Sequence, residues 1–156
     1  MSTFKCLSVS QPFADLIIKG KKTIELRHWN TKYRGEILIH SPSKIRFDDC
    51  KRLSIDPQNI ITGAIIGKVT IYDVKKYQTK KELTEDKKFH FANDDYFSNK
   101  TFGFLLKSPK EFKIPIAAKG KLGLFEIELR SAKTKDKDIA TEIFDEEYRT
   151  QWINHH

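Results

Sequence analysis

The sequence is short of what would staple a chain covalently or anchor it in a bilayer. It has two cysteines, Cys6 and Cys50, at a spacing that suits no metal site. A disulfide framework and a zinc module are therefore not expected, and the thiols fit a reducing cytoplasm. No apolar run approaches the length of a membrane span. The opening MSTFKCLSVS lacks the basic stretch and long apolar core of a signal peptide. Internal repeats and flexible linkers are missing as well. These absences leave one soluble domain over 1–156, expected in the cytoplasm, with nothing that calls for a cofactor or a metal. At 156 residues, 38% hydrophobic and with eleven phenylalanines, the chain can bury a core unaided.

Acidic residues are in the minority: 29 Lys and Arg stand against 21 Asp and Glu, a net charge of +8. Eleven basic and five acidic residues fall within the first 52, so +6 of that excess lies in the first third. From Asp136 to Arg149 the balance turns acidic. Such asymmetry suits a basic face that steers phosphates, since long-range attraction concentrates polyanions. It equally suits a lysine-rich surface charged for solubility, and charge alone does not separate the two.

Lys5 to Val9 reads as a strand in which Cys6 is a small core residue. Gln11 to Lys19 reads as a short helix, with Ser10 as cap, Pro12 in the first turn and Gly20 as stop. Phe13, Leu16 and Ile17 form its inward face. Thr23 to His28 alternates strictly, placing Ile24 and Leu26 on one side and Thr23, Glu25 and Arg27 on the other. Gly35 to His40 is a further strand, Ile45 to Leu53 a short helix, and Ala64 to Val74 a long strand in which Gly63 and Gly67 mark bends or close approach. Residues 75–100 carry no clear period beyond a helix-permissive stretch around Lys80 to Asp86. Thr101 to Leu106 and Leu122 to Leu129 read as strands, and Asp138 to Ile153 as a terminal helix. Short strands without regular βα alternation predict a mainly β fold with flanking helices (α+β), arranged as a small barrel.

Chemistry concentrates in Gly20-Lys21-Lys22-Thr23-Ile24-Glu25-Leu26-Arg27 and the following Trp29-Asn30-Thr31-Lys32-Tyr33-Arg34-Gly35. A carboxylate and a guanidinium side by side on one strand face offer complementary planar acceptors and donors to a base edge. Lys22 and Arg34 are candidates to hold phosphate, and Trp29 or Tyr33 to stack on a base, worth about 1–3 kcal/mol. Lys22, Arg27, Lys32 and Arg34 together form a candidate basic patch. The plainer alternative is the solvated face of an edge strand carrying a weak Glu25–Arg27 pair. His28 and His40 lack metal-ligand spacing and read as ordinary buried or surface histidines, and Asp94-Asp95 as solvated carboxylates able at most to meet a divalent cation.

The blocks Leu7-Ser8-Val9-Ser10-Gln11-Pro12-Phe13-Ala14 and Gly20-x-Lys22-Thr23-x-Glu25-x-Arg27 resemble the N-terminal signature of ASCH domains. The likeness continues through Tyr33-Arg34-Gly35, Ile39-His40-Ser41, Gly63-Ala64-Ile65-Ile66-Gly67 and Gly120-Lys121-x-Gly123-Leu124-Phe125. It implies a PUA-like β-barrel with a cleft beside the signature strand. It also implies a ligand among RNA, nucleotides and nucleosides. Some small bacterial members are amidohydrolases that deacetylate N4-acetylcytidine, and at least one is reported as a ribonuclease. Their catalytic lysine falls on Lys22 and the motif arginine on Arg27, but their catalytic threonine falls where this chain has Glu25.

Three functions follow in order of preference. The first is a module binding a nucleotide or exposed RNA base in a basic cleft lined by Lys22, Glu25, Arg27, Trp29, Lys32, Tyr33 and Arg34. The second is a hydrolase of acylated cytidines, or a nuclease, with Lys22 and Glu25 catalytic; there Glu25 either activates water or neutralises Lys22. The third is a protein-interaction domain with a vestigial cleft. The geometric expectation common to the first two is that Lys22, Glu25 and Arg27 converge in one concave pocket. A site of that kind would also let Lys22 and Glu25 be replaced with little change in stability.

Overall fold

The computed structural model describes residues 2–129. Strand β1 (Ser2–Ser8) leads through helix α1 (Phe13–Ile18) to β2 (Ile24–Arg27) and β3 (Gly35–Ser41). Helix α2 (Phe47–Arg52) precedes β4 (Ala64–Lys76), and helices α3 (Lys80–Glu85) and α4 (Lys87–His90) precede β5 (Phe102–Ala117) and β6 (Leu124–Leu129). One six-stranded sheet results, in the order β2-β5-β4-β3-β1-β6. Among the described strands only β1 and β3 run parallel; their register pairs Cys6 with Leu38 and Ser8 with His40. The mainly β fold with flanking helices is as expected, but the barrel is not closed: β2 and β6 are the two edges of the sheet.

Two cores lie on the two faces. Leu7, Val9, Ile37, Ile39, Val69, Ile71, Phe104 and Leu106 pack with Ala14, Ile17 and Ile18 of α1. Cys6, Leu38, Ile65 and Phe112 form the opposite cluster, the period of two assigning neighbouring residues to opposite faces. Cys6 is fully buried, as its place in the alternation requires, and burial pushes its thiol up to about 12.

Local chemistry explains most boundaries and two departures. Gly20 ends α1 with φ +78°, as expected. Ser10 does not cap that helix; the buried Gln11 does, its side-chain oxygen accepting the Asp15 N–H at 2.9 Å while its Nε2 donates to Ile61 O. The second departure is β5, which continues well beyond Leu106 through Lys107-Ser108-Pro109-Lys110. Lys68 pairs with Lys110 and Thr70 with Lys107, so Ser108 and Pro109 together oppose Val69. This bulge, with Ser108 at φ +56°, accommodates a proline inside a strand. Gly67 lies where a Cβ would strike Lys110 O and the Ile18 side chain, the close approach its position suggested. The helix expected over 138–153 falls outside the described residues.

Candidate functional site

The turn after α1 decides where Lys22 goes. With Gly20 in the left-handed region, the N–H groups of Lys21 and Lys22 both donate to Leu16 O at 3.0 Å, folding the chain back onto the helix end. Lys22 thereby leaves the strand's alternation, while Glu25 and Arg27 keep it. Register pairs Glu25 with Phe104 and Arg27 with Phe102, so both stand on the face that carries the α1 core. Ile24 and Leu26 face the other way, into a third cluster with Tyr77 and Leu83.

The three side chains converge. Lys22 Nζ lies 3.3 Å from Glu25 Oε1, and Arg27 Nη2 lies 2.8 Å from Glu25 Oε2. Arg27 Nε donates to the same Oε2 at 2.9 Å, and Nη2 also donates to Ser8 O at 2.7 Å. Lys22 Nζ further donates to Ile24 O at 2.7 Å and His90 O at 2.6 Å. Burial pulls the Lys22 ammonium below the usual lysine range, opposed by the Glu25 charge. Burial alone would raise the Glu25 carboxyl, but the charges of Arg27 and Lys22 and their hydrogen bonds hold it below the usual range. Glu25 is thus a carboxylate and Lys22 a fully engaged donor, not a solvated surface pair.

A pocket of about 550 Å³ opens over this triad, lined by Ser8–Ser10 and Phe13 on one side and by Arg46 and Asp49, at the start of α2, on another. The 75–100 stretch supplies the cover through His90, Ala92, Asn93, Asp95 and Tyr96. Its position is held by backbone and side-chain ties. Thr23 N–H donates to Phe89 O, and Arg52 Nη2 donates to Phe91 O at 2.6 Å. Tyr96 donates its hydroxyl to Leu26 O at 2.9 Å, with burial, reinforced by the Glu25 charge, pushing that hydroxyl up to about 12. The Ala92 N–H donates to His90 Nδ1 at 2.9 Å, so Nε2 carries the proton it gives to Leu83 O at 2.7 Å. Burial keeps this imidazole below its usual pKa. Arg46 Nε and Arg52 bracket Asp49, holding its carboxyl low against the upward push of burial.

The basic cleft expected from the sequence is not what the lining presents. Among the described residues, Lys22, Arg27 and Arg46 are balanced by Glu25, Asp49 and Asp95, three charges of each sign. Trp29, Lys32, Tyr33 and Arg34 do not line the pocket. Strand β2 ends at Arg27, and 28–34 is an irregular connection in which strand parity no longer applies. Trp29 packs edge-on against Phe104 at 5.2 Å between centroids. The Tyr33 hydroxyl donates to Glu36 O, and Arg34 is spent on Thr31 O, Tyr33 O and Asp73. Lys32 is exposed. The aromatics on the pocket wall are instead Phe13 and Tyr96, the latter with His28 stacked against it at 4.1 Å. Tyr96, His90 and Asn93 carried no signal beyond their place in an aromatic-rich stretch without period. Arg46 and Asp49 were visible only as an i,i+3 pair. His40 is a buried core histidine, its Nε2 donating to Ala118 O and its Nδ1 sharing a hydrogen bond with Ser8 Oγ. Gly120 is needed beside it, because a Cβ there would meet both Ser8 Oγ and His40 Nδ1. Asp94 accepts the Thr84 hydroxyl. Among the described residues no group of three His, Cys, Asp or Glu is placed to hold a metal, and no helix is long and apolar enough to cross a membrane.

Comparison with known proteins places the chain in a family and supports its fold. The ASCH domain profile matches residues 7–120, spanning the triad, the pocket and Gly120. The chain belongs to the ASCH domain family. The human protein Activating signal cointegrator 1 is 26% identical over 139 residues, covering 79% of this chain. Its mouse counterpart is 25% identical over the same length. This ASCH domain spans only 22% of the length of each of these relatives. Among solved structures, the ASCH protein of Zymomonas mobilis aligns with a TM-score of 0.55 at 16% identity, covering 97% of this chain and 93% of that one. Its Y47F mutant aligns at 0.54 with 17% identity, covering 97% and 96%. These structures share the fold.

Proposed function

We propose that this ASCH domain binds a nucleoside, or an exposed base of single-stranded RNA, in the pocket over β2 and performs no chemistry on it. The observation that carries the reading is the state of Arg27. Its Nε and Nη2 are fixed by Glu25 and Ser8 O, and its Nη1 has no partner among the described residues, at the wall of the pocket. A guanidinium held on one edge and free on another presents oriented donors to a planar acceptor such as a base edge. Tyr96 and Phe13 supply aromatic walls, and about 550 Å³ is the size of pocket that encloses a small molecule. Balanced lining charges favour an uncharged, hydrogen-bonding ligand moiety; the phosphates would stay outside and meet the domain's general excess of positive charge.

The hydrolase reading draws less support. A catalytic lysine needs a free amine, and the Lys22 donors go to Ile24 O, His90 O and Glu25. A nuclease using His40 would need a nitrogen already engaged with Ser8 or Ala118. The deciding experiment titrates the purified protein with nucleosides, short single-stranded RNA and duplex RNA, beside a turnover assay on N4-acylated cytidine. Saturable nucleoside binding, lost in Arg27→Ala and without turnover, is expected. Turnover, or binding indifferent to Arg27→Ala, would overturn the reading.

A further inference from the structure

Beyond the pocket lies an aromatic with no role in the core. Phe47, the first residue of α2, is 63% exposed, although its helix buries Asp49 and Cys50. Its neighbour Arg46 lines the pocket. The backbone carrying both is pinned to the segment between the lining residues Ser10 and Phe13: Ile45 bridges Gln11, and Arg46 N–H donates to Gln11 O at 2.9 Å. Gln11 is itself fully buried and bonded at both ends of its amide. Arg46 commits only its Nε, to Asp49, and its side chain is 60% exposed; its two Nη groups have no partner among the described residues. Lys44 is also exposed, and over 44–52 Lys44, Arg46, Lys51 and Arg52 outnumber Asp48 and Asp49.

We infer that Arg46 and Phe47 form a second nucleotide position at the pocket mouth, where the unit next to the pocketed base stacks on Phe47 and its phosphate meets Arg46. The inference rests on the pocket reading and extends it from a nucleoside to a strand. Three features favour single-stranded RNA as the occupant. A free guanidinium edge fits a phosphate bidentately. An aromatic face accepts any base. Both sit on fixed backbone continuous with the pocket, so one strand can engage them together without ordering a loop. A mononucleoside reaches only the inner position, and the two positions therefore separate experimentally.

The test compares the full chain with Phe47→Ala, Phe47→Trp and Arg46→Gln, using mononucleosides and short homopolymeric single-stranded RNA as probes. Phe47→Ala is expected to weaken oligomer binding about tenfold and leave nucleoside binding unchanged. Phe47→Trp should restore or strengthen oligomer binding, and Arg46→Gln should weaken it with a shallower salt dependence. Phe47 is exposed, so the circular dichroism spectrum should match the wild type in each Phe47 variant. Unchanged oligomer affinity in Phe47→Ala overturns this inference whatever the pocket does. Absence of nucleoside binding in the wild type overturns the pocket reading whatever Phe47 does.

Discussion

Lys22 is an ammonium whose donors are matched by three buried acceptors, and this decides what removing it does. Truncation leaves Glu25 with Arg27 as its one cation and takes the buried donor from Glu25 Oε1 and from two backbone carbonyls, with Lys22 only 3% exposed. Breaking a buried ion pair by removing one partner costs about 3–5 kcal/mol. Lys22→Ala should therefore lower the urea midpoint strongly, contrary to the near-neutral effect expected for a residue that serves only as a site. Arg27→Lys separates the other role. It keeps a positive charge beside Glu25 but loses the planar edge that holds one side and presents the other. Nucleoside affinity should fall at least about tenfold, a change of about 1.4 kcal/mol, measured by titration calorimetry while the melting temperature moves little. The pairing of Glu25 with Arg27 was legible in the sequence because a period of two leaves them no other arrangement. The placing of Lys22 was half legible: Gly20 permits the bend, but the two N–H bonds to Leu16 O that make it depend on where α1 ends. Trp29 and Tyr33 could not be placed from the sequence, because an aromatic near a motif looks the same whether it meets a ligand or, as Trp29 does, packs on Phe104.

Between α3 and β5 the chain forms short pieces whose order comes from tertiary contacts. Helices of six and four residues are too short to be stable alone, so beyond the helix-permissive stretch around Lys80 to Asp86, where α3 lies, the sequence carries little periodic signal. What fixes them is Asp86, whose Oδ2 accepts from Lys75 Nζ and from the Tyr77 hydroxyl, both at 2.7 Å. Burial would raise the Asp86 carboxyl, but these hydrogen bonds, with the Lys75 charge, hold it below its usual value. A depressed carboxylate contributes stability that is complete above its unfolded value, about pH 4, and is lost as pH falls through the lower folded value. Asp86→Asn should thus open the pocket cover at neutral pH. Amide exchange over 79–98 should quicken by about 1–3 kcal/mol of lost protection, with β3 and β4 unaffected. The wild type should acquire the same local exchange pattern on acidification below pH 4, where the variant changes less. Uniform exchange across the sheet would show that Asp86 supports the whole fold and not the cover. The extension of β5 past Leu106 was hidden for a similar reason: Ser108-Pro109 reads as a terminator, and only the partner strand reveals a bulge.

On the scale of the whole molecule, charge and cavity are arranged separately. The chain carries +8, while the pocket lining carries equal numbers of each sign among the described residues. Composition could reveal the first but not the second, because which charges reach the pocket is decided by the fold: Asp49 sits within the basic first third and Asp95 far from it, yet both line the pocket. The sheet's openness was likewise beyond local reading: strand count predicts a β fold, whereas closure depends on whether its two edges meet. The charge separation yields a prediction that neither a uniformly basic cleft nor a purely solubilising surface would make. Binding of an uncharged nucleoside releases no counterions and should be nearly indifferent to salt. Binding of single-stranded RNA should weaken as salt rises, with a slope of about −0.7 in log–log form for each phosphate neutralised. Duplex RNA should bind more weakly than single strands of equal length, since its stacked bases cannot enter the pocket. Fluorescence titrations of both ligands across a salt series measure all three quantities on one protein. A nucleoside whose affinity falls steeply with salt would mean that the triad presents net charge to the ligand. Single-stranded and duplex RNA of equal affinity and slope would mean that the surface lysines bind phosphate alone and the pocket takes no part. A shallow nucleoside slope beside a steep single-strand slope is the pattern that a neutral pocket in a basic molecule requires.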